Sequence, residues 1–245
     1  MDRMIYTSMT GAKATMQRQD TLAHNMANVS TTGFRAELQA FRSVPIEGNG
    51  ATTRAFALET TPTYSDMQGP VQTTGNALDV AMKGNGWLTV QALDGTEAYT
   101  RAGSFQVNSE GTLVTPTGLP VMGDGGPITM PQNAEVSIGG DGTISAKEAN
   151  GKTTPVGKLK LVTPEANLNL VRGTDGLFRS PDDAPLAADP AARLTSGALE
   201  GSNVSAIETM VSMISAARQF EAQMKIMQTA EADDKAAGQL LNMNG

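Results

Sequence analysis

Few side chains in this sequence can do chemistry, and their spacing decides what kind. There is one histidine, His24, and no cysteine. A site needing two imidazoles, a thiol nucleophile, a thiolate-bound zinc or an iron–sulfur cluster is therefore excluded. A hydrolase acting on peptidoglycan would need a carboxylate pair, or a nucleophile beside a base, in one pocket. No spacing in the chain assembles such a set. His24 reads as a polar-face or interface residue. Asp79, Asp94, Asp124 and Asp141 read as carboxylates of turns or strand ends. Asp124-Gly125 and Asp141-Gly142 resemble pieces of calcium loops, but neither has EF-hand spacing. The stretch Gly123–Gly126 lacks the lysine and the flanking strand and helix of a phosphate loop. The expectation is a chain that is not an enzyme and carries no cofactor and no metal.

The remaining chemistry is that of association. Asn25 and Asn28 can bond through their amides to the backbone at a helix end or to a neighbouring chain. Gly33, just beyond, suits a positive φ, and Phe34 is expected to anchor the following segment against the helices. Trp87 reads as a packing residue, and Arg101 as a salt-bridge partner between subunits. The net charge of −7 argues against nucleic acid held by a general basic surface. No segment approaches the ~18 apolar residues of a membrane span. The N-terminal residues, with Asp2 and Arg3 before an interrupted pattern, do not resemble a secretory signal.

The elements that must position these residues differ between the ends and the middle. Methionine clusters in the first 33 and last 42 residues, whereas glycine concentrates between Gly75 and Gly151. The N-terminal end predicts a helix over about 3–29, with Asp2 as its cap. Ile5, Met9, Ala12, Met16, Gln19, Ala23 and Met26 follow alternating spacings of four and three, a heptad seam. Near the other end, Ser205 and Glu208 have capping-box spacing. Ala206, Met210, Met213, Ala217, Phe220, Met224 and Met227 repeat the same seam, and Val204, Ile207, Val211 and Ile214 form a second stripe beside it. So wide an apolar arc exceeds what one partner helix buries. Methionine adapts to irregular neighbours, so these faces suit packing against several subunits.

From Asn76 the period changes to two, broken by turns such as Asp94-Gly95. Strands are predicted at Leu78–Met82, Trp87–Gln91, Glu97–Arg101, Ser104–Val107, Thr112–Thr115, Leu119–Met122, Ile128–Met130, Glu135–Ile138, Thr143–Ser145, Lys158–Val162 and Gly176–Arg179. Residues 34–75 read as an extended, partly hairpin-like connector and 180–200 as a return loop. The expected fold is α+β. Long N- and C-terminal helices, 1–33 and 200–245, pair as a coiled coil, with a mainly antiparallel β domain, 76–199, inserted between them.

The run His24-Asn25-Met26-Ala27-Asn28-Val29-Ser30-Thr31-Thr32-Gly33-Phe34-Arg35 resembles the signature of the flagellar rod, hook and junction proteins. The stretches Leu199–Val204, Ala217–Ala222 and Lys225–Ala230 fit the same family. So do Leu78–Ala81, Gly84–Trp87 and Tyr99–Phe105, in the right order. Met1–Thr7, Gly11-Ala12 and Phe41–Pro45 are most similar to proximal-rod members, with a distal-rod subunit as the alternative. A phage-tail component or adhesin is a more distant alternative that shares long end helices around a β domain.

The resemblance implies a structural subunit of the basal-body rod, the torque-transmitting shaft and export channel in the periplasm. It implies export through the flagellar type III apparatus without a cleaved signal peptide. Its partners would be other rod subunits and copies of itself in a heterologous helical assembly, with ring or bushing proteins as candidate neighbours. The residues expected at the assembly interface are Ile5, Met9, Met16, Asn25, Asn28, Gly33, Phe34, Val211, Met213, Ile214, Phe220, Met224 and Met227.

Overall fold

A computed structural model describes residues 2–45, 55–59, 63–131, 134–147, 152–165 and 168–242. The chain divides into two compact units. Unit 1 comprises residues 1–29, 37–64 and 204–245, and unit 2 comprises residues 30–36 and 65–203.

Unit 1 is built on two helices that pack together, α1 (Asp2–Ala27) and α2 (Ala206–Asn242). Ser205 caps α2: its Oγ accepts from Glu208 N–H at 3.4 Å, as the capping-box spacing predicts. The buried positions, however, do not follow the heptads read from the methionines. On α1 they include Ser8, Ala12, Thr15 and Asn25, while Met9 and Met16 are more than half exposed. On α2 they are Thr209, Ala216 and Ala230, with Met210, Val211, Ile214 and Met224 exposed. Each seam keeps every second expected position and moves the others by one residue. The expected seam positions Ile5, Met213, Phe220 and Met227 are half-buried.

The physical reason is size. Small side chains let two helix backbones approach, and a β-carbon on Gly11 would lie 3.2 Å from Gln223 Nε2. Two of the buried hydroxyls are satisfied within their own turns. Thr15 Oγ1 donates to Gly11 O and Thr209 Oγ1 to Ser205 O, both at 2.8 Å, so threonine is tolerated where the heptad pattern predicts a methionine beside it. Unit 1 also holds two short antiparallel pairings from the stretch read as a connector. Glu37–Leu38 pairs with Thr63–Tyr64, and Phe41–Pro45 with Ala55–Glu59.

Unit 2 is antiparallel β throughout its paired strands. Its largest sheet has the order Leu161–Val162, Trp87–Gln91, Glu97–Thr100, Phe178–Arg179, Val171–Arg172. A second, three-stranded sheet joins Glu135–Ile138, Thr143–Lys147 and Thr153–Lys158. Val80, Leu88, Val90, Leu113, Val121 and Ile144 are fully buried members of one core cluster. Most predicted strands are present. Ile128–Met130 forms no strand, only a single bridge from Thr129 to Thr112, and Lys158–Val162 splits because the chain changes partners there. Leu159 N–H donates to Gly142 O at 2.8 Å, and one residue later Lys160 N–H donates to Met122 O at 3.0 Å.

The return loop also needs correction. Leu194–Ser196 pairs with Val80–Met82, and Ala198–Glu200 with Val71–Thr73. Leu194, Ala198 and Glu200 turn inward, an alternation disguised in the sequence because its last member carries a charge.

Candidate assembly surfaces and a buried charge cluster

On unit 1 the residues expected at the assembly interface fall into two groups. Met9, Met16, Val211, Ile214 and Met224 are exposed on α1 and α2. Ile207, which belongs to the predicted second stripe, is 76 % exposed and Val211 62 %. Isolated exposed apolar side chains are ordinary, but Ile207, Met210, Val211 and Ile214 recur at helical spacing on the first turns of α2 and form a continuous stripe.

Asn25 and Asn28 are used within the chain. Asn25 is buried where α1 meets Glu37–Leu38. Its Oδ1 accepts from Glu37 N–H at 2.8 Å and its Nδ2 donates to Glu37 O at 2.9 Å. One side-chain amide therefore mimics a neighbouring strand, satisfying both backbone polar groups of one residue. Asn28 Nδ2 donates to His24 O at 2.9 Å, closing the last turn of α1. His24 Nδ1 lies 3.1 Å from Glu37 Oε2, on the exposed side of the same junction. Asn25 and His24 thus fasten the helix end to Glu37, and Asn28 secures the end itself.

In unit 2, Gly33 has φ +68°, as its place after the helix predicts. A β-carbon there would sit 2.3 Å from both Ala102 N and the Arg101 carbonyl carbon. Glycine is thus required by close backbone approach as well as by handedness. Phe34 is buried, with the Arg172 guanidinium 4.4 Å from its ring centroid. The sequence predicts an anchor against the helices; the stacking partner is instead a cation of the β unit, an arrangement favoured by the ring's electron-rich face.

Arg101 requires a larger correction. It is 2 % exposed and cannot be a surface salt-bridge partner. Its Nη1 lies 3.1 Å from Glu200 Oε2, and its Nη2 donates to Gly84 O at 2.6 Å. Arg35 Nη2 lies 3.0 Å from Glu200 Oε1, and Arg35 Nη1 donates to Asp66 O at 3.1 Å and to Met67 O. Gly69 N–H donates to Glu200 Oε1 at 3.1 Å. Arg101 also lies over Trp87, 5.2 Å from its ring centroid, and Trp87 packs 4.6 Å from Phe178. One carboxylate is thus shared by two guanidiniums, with carbonyls taking further donors. Burial of three charges persists only with such pairing. Arg35 and Glu200 stand inside the family motifs at the two ends of the chain, but no spacing rule connects residues so far apart in sequence.

Two further carboxylates, Asp94 and Asp141, build turns. Thr96 N–H and Oγ1–H donate to Asp94 at 2.9 and 2.6 Å. Thr143 does the same to Asp141 at 3.1 and 2.8 Å. The threonine hydroxyl bonds hold both carboxyls below the usual aspartate range. Asp175 is lowered chiefly by its hydrogen bond from Arg179. Tyr99 is raised by burial, while its oxygen accepts from Leu186 N–H at 2.7 Å. Among the described residues no group of three or more acidic or imidazole side chains is placed to hold a metal, and no helix is long and apolar enough to cross a membrane.

Known proteins resemble this chain along its whole length. Residues 5–35 match the flagella basal body rod protein family, 81–146 the D1 domain of flagellar hook protein FlgE/F/G, and 195–240 the C-terminal region of flagellar basal body rod FlgEFG proteins. The chain belongs to the flagellar basal-body rod protein family. Within it, the chain is 46 % identical to the flagellar basal-body rod protein FlgF of Salmonella typhimurium and 45 % identical to that of Escherichia coli, each over the whole of both chains. It is 33 % identical to the rod protein FlgG of Bacillus subtilis, over 99 % of each chain.

Proposed function

We infer that this chain is a structural subunit of the flagellar basal-body rod, of the FlgF type and seated in its proximal part. The observation that carries this reading is identity along the whole chain, 46 % to a FlgF against 33 % to a FlgG. Its two ends both match rod-family models.

The physical mechanism rests on the faces that unit 1 leaves uncovered. α1 and α2 pair through small residues and act as a coiled-coil-like building block of the tube's inner layer. Met9, Met16, Val211, Ile214 and Met224 face neighbouring subunits, while Ile5, Met213, Phe220 and Met227 lie half-buried in the pair. Contacts are heterologous, so they propagate helically instead of closing. Methionine's adaptable side chain suits a shaft in which one subunit meets several different neighbours. Asn25, Asn28, Gly33 and Phe34 support assembly indirectly, by fixing the path of the chain as it leaves the helix.

The chain does no catalysis in this role. Its neighbours are other rod subunits, copies of itself, and ring or bushing proteins around the shaft. It reaches the periplasm through the flagellar export apparatus.

Deleting the gene tests the reading. Loss of motility, with no filaments and restoration by the wild-type gene, is the expected result. Intact flagella in the deletion strain would reject it.

A further inference from the structure

The chain passes between the two units at four places: after residues 29, 36, 64 and 203. Within unit 2, the segments that abut these places converge on one buried group. Arg35 belongs to residues 30–36, Asp66, Met67 and Gly69 lie just after the third passage, and Glu200 and Asn203 precede the fourth. The ion pairs of Glu200 with Arg35 and Arg101 tie the first and last of these segments to the end of the strand Glu97–Thr100. Backbone bonds run alongside. Gly33 N–H donates to Glu200 O at 2.7 Å, and Asn203 N–H donates to Phe34 O at 3.3 Å. The Asn203 side chain adds three more: Oδ1 accepts from Ala36 N–H at 2.6 Å, and Nδ2 donates to Ser65 O at 3.2 Å and Met67 O at 2.8 Å.

We propose that Arg35, Arg101, Glu200 and Asn203 form a mechanical clamp that anchors all four chain passages to the β unit together. This rests on the rod reading, because a shaft subunit is one that carries force. Force entering unit 2 through any passage is shared by bonds that must yield together. Pulling residues 30–36 or 200–203 free leaves a guanidinium or carboxylate buried without its counter-charge, and pulling 65–69 free takes the carbonyl acceptors from Arg35 Nη1, so the clamp resists stepwise opening. Its inner end is fixed on packed aromatic structure, since Arg101 lies over Trp87. The residues are positioning residues for force, with no chemical step.

The test uses the full-length chain carrying Asn203→Ala, in a strain lacking its own copy. Asn203 is only half-buried, so its variant loosens the rim without emptying the core. Amide exchange of the purified chain is expected to rise on the order of ten-fold at 33–36 and 66–69, as for loss of a buried partner, with Trp87–Gln91 unchanged. Cells are expected to assemble flagella and swim, but to lose speed disproportionately as the medium is made viscous. Unchanged exchange, or equal acceleration throughout unit 2, would overturn the clamp. So would wild-type speed at every viscosity, which leaves the rod reading standing. Failure of the wild-type gene to restore motility in that strain would overturn the rod reading and the clamp with it.

Discussion

Replacing Gly33 by alanine combines two separable costs. Gly33 has φ +68°, and holding an L-residue in that region costs ~1–2 kcal/mol. The new β-carbon would also lie 2.3 Å from Ala102 N and the Arg101 carbonyl carbon. Relief of such overpacking costs a further ~1–3 kcal/mol, so Gly33→Ala is expected to destabilise the β unit by about 2–5 kcal/mol. Gly95 is the internal control. It has φ +81°, but a β-carbon there meets open space, so Gly95→Ala carries only the left-handed cost of ~1–2 kcal/mol. Urea unfolding followed by fluorescence measures both. Trp87 is the only tryptophan, and it is buried against Phe178, so the signal reports unit 2. Equal midpoints for the two variants would show that Gly33 is there for handedness alone and that its close backbone approach carries no energy.

Other outcomes rest on the same geometry. Glu200→Gln leaves two buried guanidiniums without their carboxylate and should cost about 3–5 kcal/mol in the same unfolding assay. Asn25→Ala removes the partner of both Glu37 backbone groups; a loss of ~1–3 kcal/mol is expected, seen as faster exchange of the Glu37 amide. Ile214→Asp should leave the urea midpoint of helical circular dichroism within ~0.5 kcal/mol, as for an exposed site, yet abolish swimming, because it spoils the α2 stripe without touching the seam. Asp94 and Asp141 have lowered folded-state pKa values. Their stabilising effect is therefore fully present above the ordinary aspartate value of about 3.9 and lost as pH falls through the lowered one. Acid titration should loosen the turns at Gly95 and Gly142 before the core strands, with exchange at Thr96 and Thr143 as the readout.

Legibility in the sequence divides along physical lines. Local periodicity is written in neighbouring residues, so the helices, the Trp87–Gln91 and Glu135–Ile138 strands and the turn at Asp94-Gly95 are legible. The phase of the helix seam is not. Hydrophobicity points to Met9, Met16, Met210 and Met224, whereas the pair closes on Ser8, Ala12, Thr15 and Ala216 because small residues allow approach. Of the methionines left outside, Met9, Met16 and Met224 are assigned to neighbouring subunits, so residues suited to assembly mask the packing of the helix pair itself. The charge cluster is illegible for another reason. Arg35, Arg101 and Glu200 are each unremarkable alone, and an inward glutamate reads as loop until its two partners are placed beside it. Arg101 accordingly reads as a surface residue, the ordinary place for an arginine without a visible partner.

The most direct measurement is a cryo-EM map of basal bodies isolated from cells that build their rod with this chain. The expected map has α1 and α2 in the rod's inner layer, with Met9, Met16, Ile207, Val211 and Ile214 against neighbouring subunits. Absence of the chain from the rod, or a rod in which those side chains face solvent, would contradict the assignment.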